Sequence, residues 1–108
     1  MKRVLMMVAL GLLLALSVYA GQIYGSLKED GRAVQARTHL HMDCNGRSYD
    51  AYTDDYGAYS IGAEKGKCAL MVEYKGQIVA LDLYAYDDPV RYDFDLVLEN
   101  GKYSLRRK

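Results

Sequence analysis

Thr53-Asp54-Asp55-Tyr56-Gly57-Ala58-Tyr59-Ser60-Ile61 is a tight acidic–glycine turn set between two short runs of alternating residues. The run before it, Ser48 to Asp54, and the run after it, Ala58 to Ile61, read as strands. Tyr59 and Ile61 lie two apart and so share a face, because successive side chains on a strand point to opposite sides. Asp, Asp and Gly between such runs are turn chemistry: short carboxylates accept nearby backbone N–H groups, and glycine tolerates positive φ. The stretch predicts a β-hairpin with an inward aromatic.

Working outward, the same pattern recurs at regular spacing, and no helical period persists for more than a turn or two. Gln22 to Lys28 places Ile23 and Leu27 on one face, and Glu29-Asp30-Gly31-Arg32 is a turn. Thr38 to Cys44 carries Leu40, Met42 and Cys44 on one face and His39, His41 and Asp43 on the other. Asn45-Gly46 is a strong hairpin signal. Cys68 to Tyr74 follows with Cys68, Leu70 and Val72 aligned, then a Lys75-Gly76 turn and a strand whose inward face is Val79, Leu81, Leu83 and Ala85. Asp87-Asp88-Pro89 ends that strand. Val90 to Glu99 reads as one strand with Tyr92, Phe94, Leu96 and Leu98 inward, and Asn100-Gly101 turns the chain into Lys102–Arg107. These runs predict an all-β protein, a seven- to eight-stranded antiparallel sandwich.

The pattern resembles the carboxypeptidase regulatory-like domains, whose small sandwich is similar to transthyretin (prealbumin) and of broadly immunoglobulin-like architecture. Gln22-Ile23-Tyr24-Gly25 matches their glycine-containing first strand. Gly31-Arg32-Ala33-Val34-Gln35-Ala36 matches the G-x-P-V-x-x-A turn with alanine where proline is usual. Thr53 to Ile61 matches the T-D-x-x-G-x-Y hairpin, and Gly66-Lys67-Cys68-Ala69-Leu70 the strand after it. The resemblance covers about Gly21 to Val72. It implies a core aromatic at Tyr59, a positive φ at Gly57, and a role in binding, stability or tethering. The chain ends Tyr103-Ser104-Leu105-Arg106-Arg107-Lys108, without the Tyr-Arg-Gly-Ser of the hydroxyisourate hydrolases, and is far shorter than the intradiol dioxygenases.

The chain has 108 residues. Lys2 and Arg3, an apolar run from Val4 to Leu16, and Ser17-Val18-Tyr19-Ala20 read as a secretory leader with small residues at the cleavage site. An uncleaved anchor is the other reading, but the run is short of the ~20 apolar residues of a comfortable membrane span. Residues 1–20 are therefore expected to be a signal peptide and 21–108 the domain, exported to the periplasm or beyond the cell, with no membrane span after cleavage. Losing Lys2 and Arg3 from 14 basic side chains leaves 12 against 14 acidic, a net charge of −2. That balance carries no footprint for nucleic acid. Cys44 and Cys68 are the two cysteines. In an exported small domain they point to a disulfide, and both fall on the inward parity of their strands.

Three sets of outward residues invite chemistry. His39, His41 and Asp43 line one strand face, and two imidazoles with a carboxylate suit zinc or copper. Consecutive same-face positions lie about 7 Å apart at Cα, short of a complete ligand shell. Asp50, Asp54, Asp55 and Asp87-Asp88 invite calcium without its loop spacing. Tyrosine is the aromatic of this protein, 11 residues against one Phe and no Trp. Parity turns Tyr52, Tyr84 and Tyr86 outward and leaves Tyr56 on a turn. Tyrosine presents a large apolar body with a polar tip, which suits recognition. Ser48 and Ser60 sit in strands with no nucleophile elbow. The expectation is an exported, non-enzymatic module without a cofactor. Tyr52, Tyr84 and Tyr86 would meet a protein or an envelope polymer; the alternative is a periplasmic copper or zinc protein using His39, His41 and Asp43.

Overall fold

Alternating apolar and polar side chains build every long strand of the structure, a computed structural model that describes residues 21–108. The leader assigned to residues 1–20 lies outside the described residues. Ten strands follow in order: β1 (Gly21–Glu29), β2 (Arg32–Ala33), β3 (His39–Cys44), β4 (Arg47–Tyr52), β5 (Ala58–Ala63), β6 (Gly66–Tyr74), β7 (Gln77–Ala85), β8 (Val90–Arg91), β9 (Phe94–Glu99) and β10 (Lys102–Arg107). Eight have six or more residues; β2 and β8 are two-residue pairings. The expected seven or eight strands are thus present. Among the described residues no helix is long and apolar enough to cross a membrane.

One sheet runs β4-β3-β6-β7, antiparallel throughout. The other runs β10-β9-β1-β2, with β5 and β8 also paired to β1. β1 is its organiser. Along Gly21–Ser26 it pairs antiparallel with β5, and it pairs parallel with β8 at Ile23–Tyr24 and with β9 at Leu27–Lys28. These two parallel pairings qualify the antiparallel expectation. They arise because the chain reaches β8 by a crossover from the other sheet, entering β1's flank in β1's own direction. The core between the sheets is built from the inward parity: Ile23, Leu27, Leu40, Met42, Leu70, Val72, Tyr59, Ile61, Phe94 and Leu96 are all buried. Burying such side chains contributes about 1.5–3 kcal/mol each before chain entropy is counted.

Four hairpins turn on two residues: Asp30-Gly31, Asn45-Gly46, Lys75-Gly76 and Asn100-Gly101, each with positive φ at both positions. That is the two-residue turn whose twist matches the strands it joins. Cys44 and Cys68 form a disulfide between directly opposed residues of β3 and β6.

The predicted single strand Val90–Glu99 is broken at Tyr92-Asp93. Asp93 Oδ1 accepts from the N–H of Ser26 (3.0 Å) and its hydroxyl (3.1 Å), taking the place of a ladder carbonyl. Tyr92 donates its N–H to the Tyr24 carbonyl, 2.8 Å away. The Tyr92 carbonyl presses on Gly25 so closely that a Cβ there would lie 1.9 Å from its oxygen. Leu98, expected inward, is exposed; its ladder partner Tyr103 turns its ring to Tyr74 instead. Leu81 is only partly buried, packed at the margin of the core.

The Thr53–Ile61 stretch, expected to be a β-hairpin, is instead a turn that carries the chain from one sheet to the other: β4 pairs with β3 and β5 with β1, and the two strands share no ladder. Each motif residue has a structural use in that crossing. Asp54 Oδ1 accepts from the N–H groups of Tyr56 (2.8 Å) and Ala58 (2.9 Å). Its carboxylate closes the turn, so the calcium reading loses its central ligand. Gly57 adopts φ 78°, and its carbonyl accepts from Leu27 N–H at 2.9 Å. Thr53 is buried, its hydroxyl accepting from Thr38 N–H (3.0 Å) and donating to the Gln35 carbonyl (3.0 Å).

One tie between the sheets had no sequence signal. Glu29 of β1 accepts from the hydroxyls of Tyr74 (2.6 Å) and Tyr103 (2.9 Å) and from Lys75 Nζ (3.2 Å). These bonds hold the Glu29 carboxyl below its ordinary range, Tyr74 contributing most. Burial, then the bond to Glu29, pushes the Tyr74 phenol up to about 12.

Candidate binding face

The outward face of the β4-β3-β6-β7 sheet carries His39, His41, Asp43, Tyr52 and Tyr84, with Tyr86 just past the end of β7. The Asn45-Gly46 turn opposes Cys44 to Arg47, and counting back sets Asp43 against Ser48, His41 against Asp50 and His39 against Tyr52. On the other side of β3, Asp43 opposes Ala69 and His41 opposes Met71. β6 and β7 then align Lys67 with Tyr84, Ala69 with Asp82, Met71 with Ala80 and Glu73 with Ile78. The face is thus polar across β3 and β4, small and apolar at Met71, Ala69 and Ala80, and aromatic at the end of β7.

The polar part is a continuous ladder. His39 Nδ1 faces Glu73 Oε2 (3.3 Å) and its Nε2 faces Asp50 Oδ1 (2.8 Å). His41 Nδ1 reaches the same Asp50 oxygen (2.9 Å), and its Nε2 reaches Asp43 Oδ1 (3.0 Å). Ser48 donates its hydroxyl to that Asp43 oxygen at 2.6 Å. All four ring nitrogens therefore face carboxylates. Such an imidazole is best satisfied as the cation, donating from both nitrogens. The hydrogen bond to Asp50 is the main cause that raises both histidines above their ordinary pKa. The imidazoles in turn hold Asp50 low, and Ser48 followed by His41 does so for Asp43.

This chemistry bears on two readings. A metal ligand must offer a ring nitrogen's lone pair, whereas here each ring nitrogen faces a carboxylate oxygen. Among the described residues no group of three or more His, Cys, Asp or Glu is placed to hold a metal ion. His39, His41 and Asp43 do share a face, as expected, but as members of an ion-pair ladder. Ser48, Asp43 and His41 are also in contact, in the wrong order for nucleophilic activation. The serine bonds the carboxylate, and the imidazole, which would have to take its proton, lies beyond it.

The three tyrosines do not form one patch. The Tyr52 ring stacks on His39, with centroids 5.0 Å apart and planes 25° from parallel. Tyr84 and Tyr86 make a pair of their own, centroids 6.0 Å apart and tilted 37°. Through His39, Tyr52 stands level with Glu73, and Tyr84 opposes Lys67; these two β6 positions are six residues apart and so about 20 Å. All three are more than half exposed, as parity required.

Asp50 and Glu73 were missed as partners of the histidines. Both were within reach of the sequence. The Asn45-Gly46 turn sets His41 against Asp50, and extending the register from a Cys44–Cys68 pairing sets His39 beside Glu73.

No protein-family model matches the chain, and none of the curated proteins matches it. Solved structures do. A DUF3823 family protein from Parabacteroides merdae aligns with a TM-score of 0.55 over 74% of this chain and 49% of its own length, at 11% identity. A candidate carbohydrate-binding protein from Bacteroides uniformis aligns with a TM-score of 0.54 over 82% of this chain and 53% of its own, at 14% identity. The chain therefore spans about half the length of each, and at such identities what it shares with them is the β-sandwich fold.

Proposed function

We propose that this chain is a non-catalytic, exported binding module that holds a glycan-type envelope polymer at the Tyr84–Tyr86 end of the exposed sheet. The observation that carries this reading is the ring pair itself. Two half-exposed tyrosines stand side by side at the free edge strand β7, where no core contact needs them. Tyrosine rings offer apolar faces to a sugar ring and hydroxyls to its rim, at small entropic cost. Asp82, paired with Lys67 at 3.4 Å, and Asp87, paired with Lys65 at 3.5 Å, add polar groups beside the rings.

Supporting the reading are the fold shared with a candidate carbohydrate-binding protein and the motif resemblance to the carboxypeptidase regulatory-like domains. The Cys44–Cys68 disulfide agrees with an oxidising compartment, periplasmic or extracellular. The test compares wild type with Tyr84→Ala/Tyr86→Ala for retention of envelope polysaccharide on beads. Wild type should retain polymer at least tenfold better than the variant. Equal retention by the two proteins would remove this surface, and recovery of protein alone would remove the glycan. No observation favours the copper or zinc alternative over the ion-pair ladder at His39, His41 and Asp43.

A further inference from the structure

Among the described residues, five other than glycine adopt positive φ. Four of them, Asp30, Asn45, Lys75 and Asn100, are the first residues of the two-residue hairpins, where the turn demands it. The fifth is Arg37, at φ 66° and with no glycine after it. A left-handed backbone is disfavoured for a long side chain and is met far more cheaply by Gly or Asn. The surroundings lock it in place. Arg37 donates its N–H to the Thr53 carbonyl (2.8 Å), and Thr53 N–H donates back to the Thr38 carbonyl (3.0 Å). The hydroxyls of Thr38 (2.7 Å) and Thr53 (3.0 Å) both donate to the Gln35 carbonyl. Thr53, the first residue of the turn between β4 and β5, thus fixes the loop that carries Arg37.

That loop forms one wall of a cleft of about 420 Å³, bounded by Gln35, Arg37, Thr38, His39, Glu73 and Lys75. The volume lies within the range of small-ligand sites, and its walls are mostly polar, which favours a hydrogen-bonding occupant. The other charges around it are already matched. His39 pairs with Glu73, and Lys75 with Glu29. Arg37 is exposed and has no carboxylate partner among the described residues. Surrounding bonds thus hold a strained backbone at a residue that lines a polar cleft and whose charge is unmatched, and strain retained in this way clusters at ligand-binding sites.

We propose that this cleft binds a carboxylate-bearing ligand, with the Arg37 guanidinium as its direct, bidentate partner, and that the ligand is an acidic sugar residue, a class that rests on the glycan reading above. The cleft lies at the Glu73 end of the sheet, about 20 Å from Tyr84. It does not depend on the tyrosine pair being a binding surface.

Nitrogen-15 NMR titration of the purified protein with trigalacturonate, and with neutral galactotriose as control, tests this. The acidic probe should shift the amides of residues 35–39 and 73–75 and the Arg37 Nε–H. Arg37→Gly should lose at least tenfold in affinity while keeping its melting temperature unchanged or raised, because glycine takes this backbone without a Cβ penalty. Arg37→Asn, also tolerant of the conformation, should reproduce the loss. Arg37→Lys should fall between, keeping the charge without the fork. Equal shifts with galactotriose would overturn the proposal. So would wild-type affinity in the Arg37→Gly protein, or the absence of cleft shifts with trigalacturonate. Shifts at Tyr84 and Tyr86 in the same spectra report the other surface separately.

Discussion

The hydroxyl of Tyr59 donates to the main-chain carbonyl of Tyr92, 2.6 Å away. Tyr59 belongs to β5 and Tyr92 to the break between β8 and β9, strands on opposite flanks of β1. Gly25 is Tyr59's partner in the β1–β5 ladder, and its missing Cβ leaves the space that the Tyr92 carbonyl fills. Burial, the largest influence, pushes the Tyr59 phenol well above its ordinary value, so it remains a neutral donor.

Tyr59→Phe keeps the ring and removes the donor. The Tyr92 carbonyl then loses a buried partner, a loss of about 1–2 kcal/mol. Urea unfolding of the two proteins should show the midpoint fall with the slope unchanged. An unmoved midpoint would mean that water or another donor replaces the bond at no cost.

Gly57 and Gly76 separate backbone strain from collision. Their φ values are 78° and 79°, yet a Cβ at Gly57 would sit 2.7 Å from the Leu27 carbonyl oxygen, whereas one at Gly76 meets nothing within 4 Å. Gly76→Ala should cost about 1–2 kcal/mol, the penalty of a left-handed residue. Gly57→Ala should cost that and more, because main chain must move. Similar losses in thermal unfolding would count against the close approach at Leu27.

The His39–Asp50–His41 ladder sets a pH dependence with a definite sign. The folded pKa of each histidine is raised above the ordinary 6.5, so its contribution is complete below that value and is lost as pH rises through the folded pKa. Asp43 and Asp50 are lowered from the ordinary 3.8, so theirs is present above that value and lost as pH falls through the folded pKa. The ladder is therefore strongest between about pH 4 and 6.5. Melting temperature should decline on passing neutrality, and His39→Gln/His41→Gln should flatten that decline. A decline of the same size in the double variant would place its origin elsewhere.

Reduction of the Cys44–Cys68 disulfide, whose partners are 24 residues apart, releases a closed loop in the unfolded chain. The chain-entropy account assigns this about 3 kcal/mol. For a domain of this size that is on the order of 15 °C in melting temperature. Cys44→Ala/Cys68→Ala should match the reduced protein. A reduced protein that melts with the oxidised one would show that the β3–β6 ladder alone holds the register.

Legibility followed the range of the interactions. Strand parity, the two-residue turns and the inward cysteines were readable because each depends on neighbours within a few residues. The break at Tyr92-Asp93 was not, since it exists only where Asp93 meets Ser26, 67 residues away. The exposure of Leu98 escaped for the same reason: parity says which side of a strand a residue takes, not whether the other sheet lies over it. In the polar ladder, His39 and His41 were visible as a pair, while Glu73 entered through a β3–β6 pairing that the disulfide anchors. The separation of Tyr52 from Tyr84 and Tyr86 required the order of the strands.

By itself the sequence determined the sandwich, the inward face of most strands and the local geometry of its turns, because period-two patterning and turn chemistry act at short range. Only the tertiary structure decided what the Thr53–Ile61 motif supports. Thr53 braces the loop of Arg37, Asp54 closes its own turn, and Tyr59 reaches over Gly25 to Tyr92. Those roles depend on distances between segments far apart in the chain, and the register and stacking of the sheets set such distances.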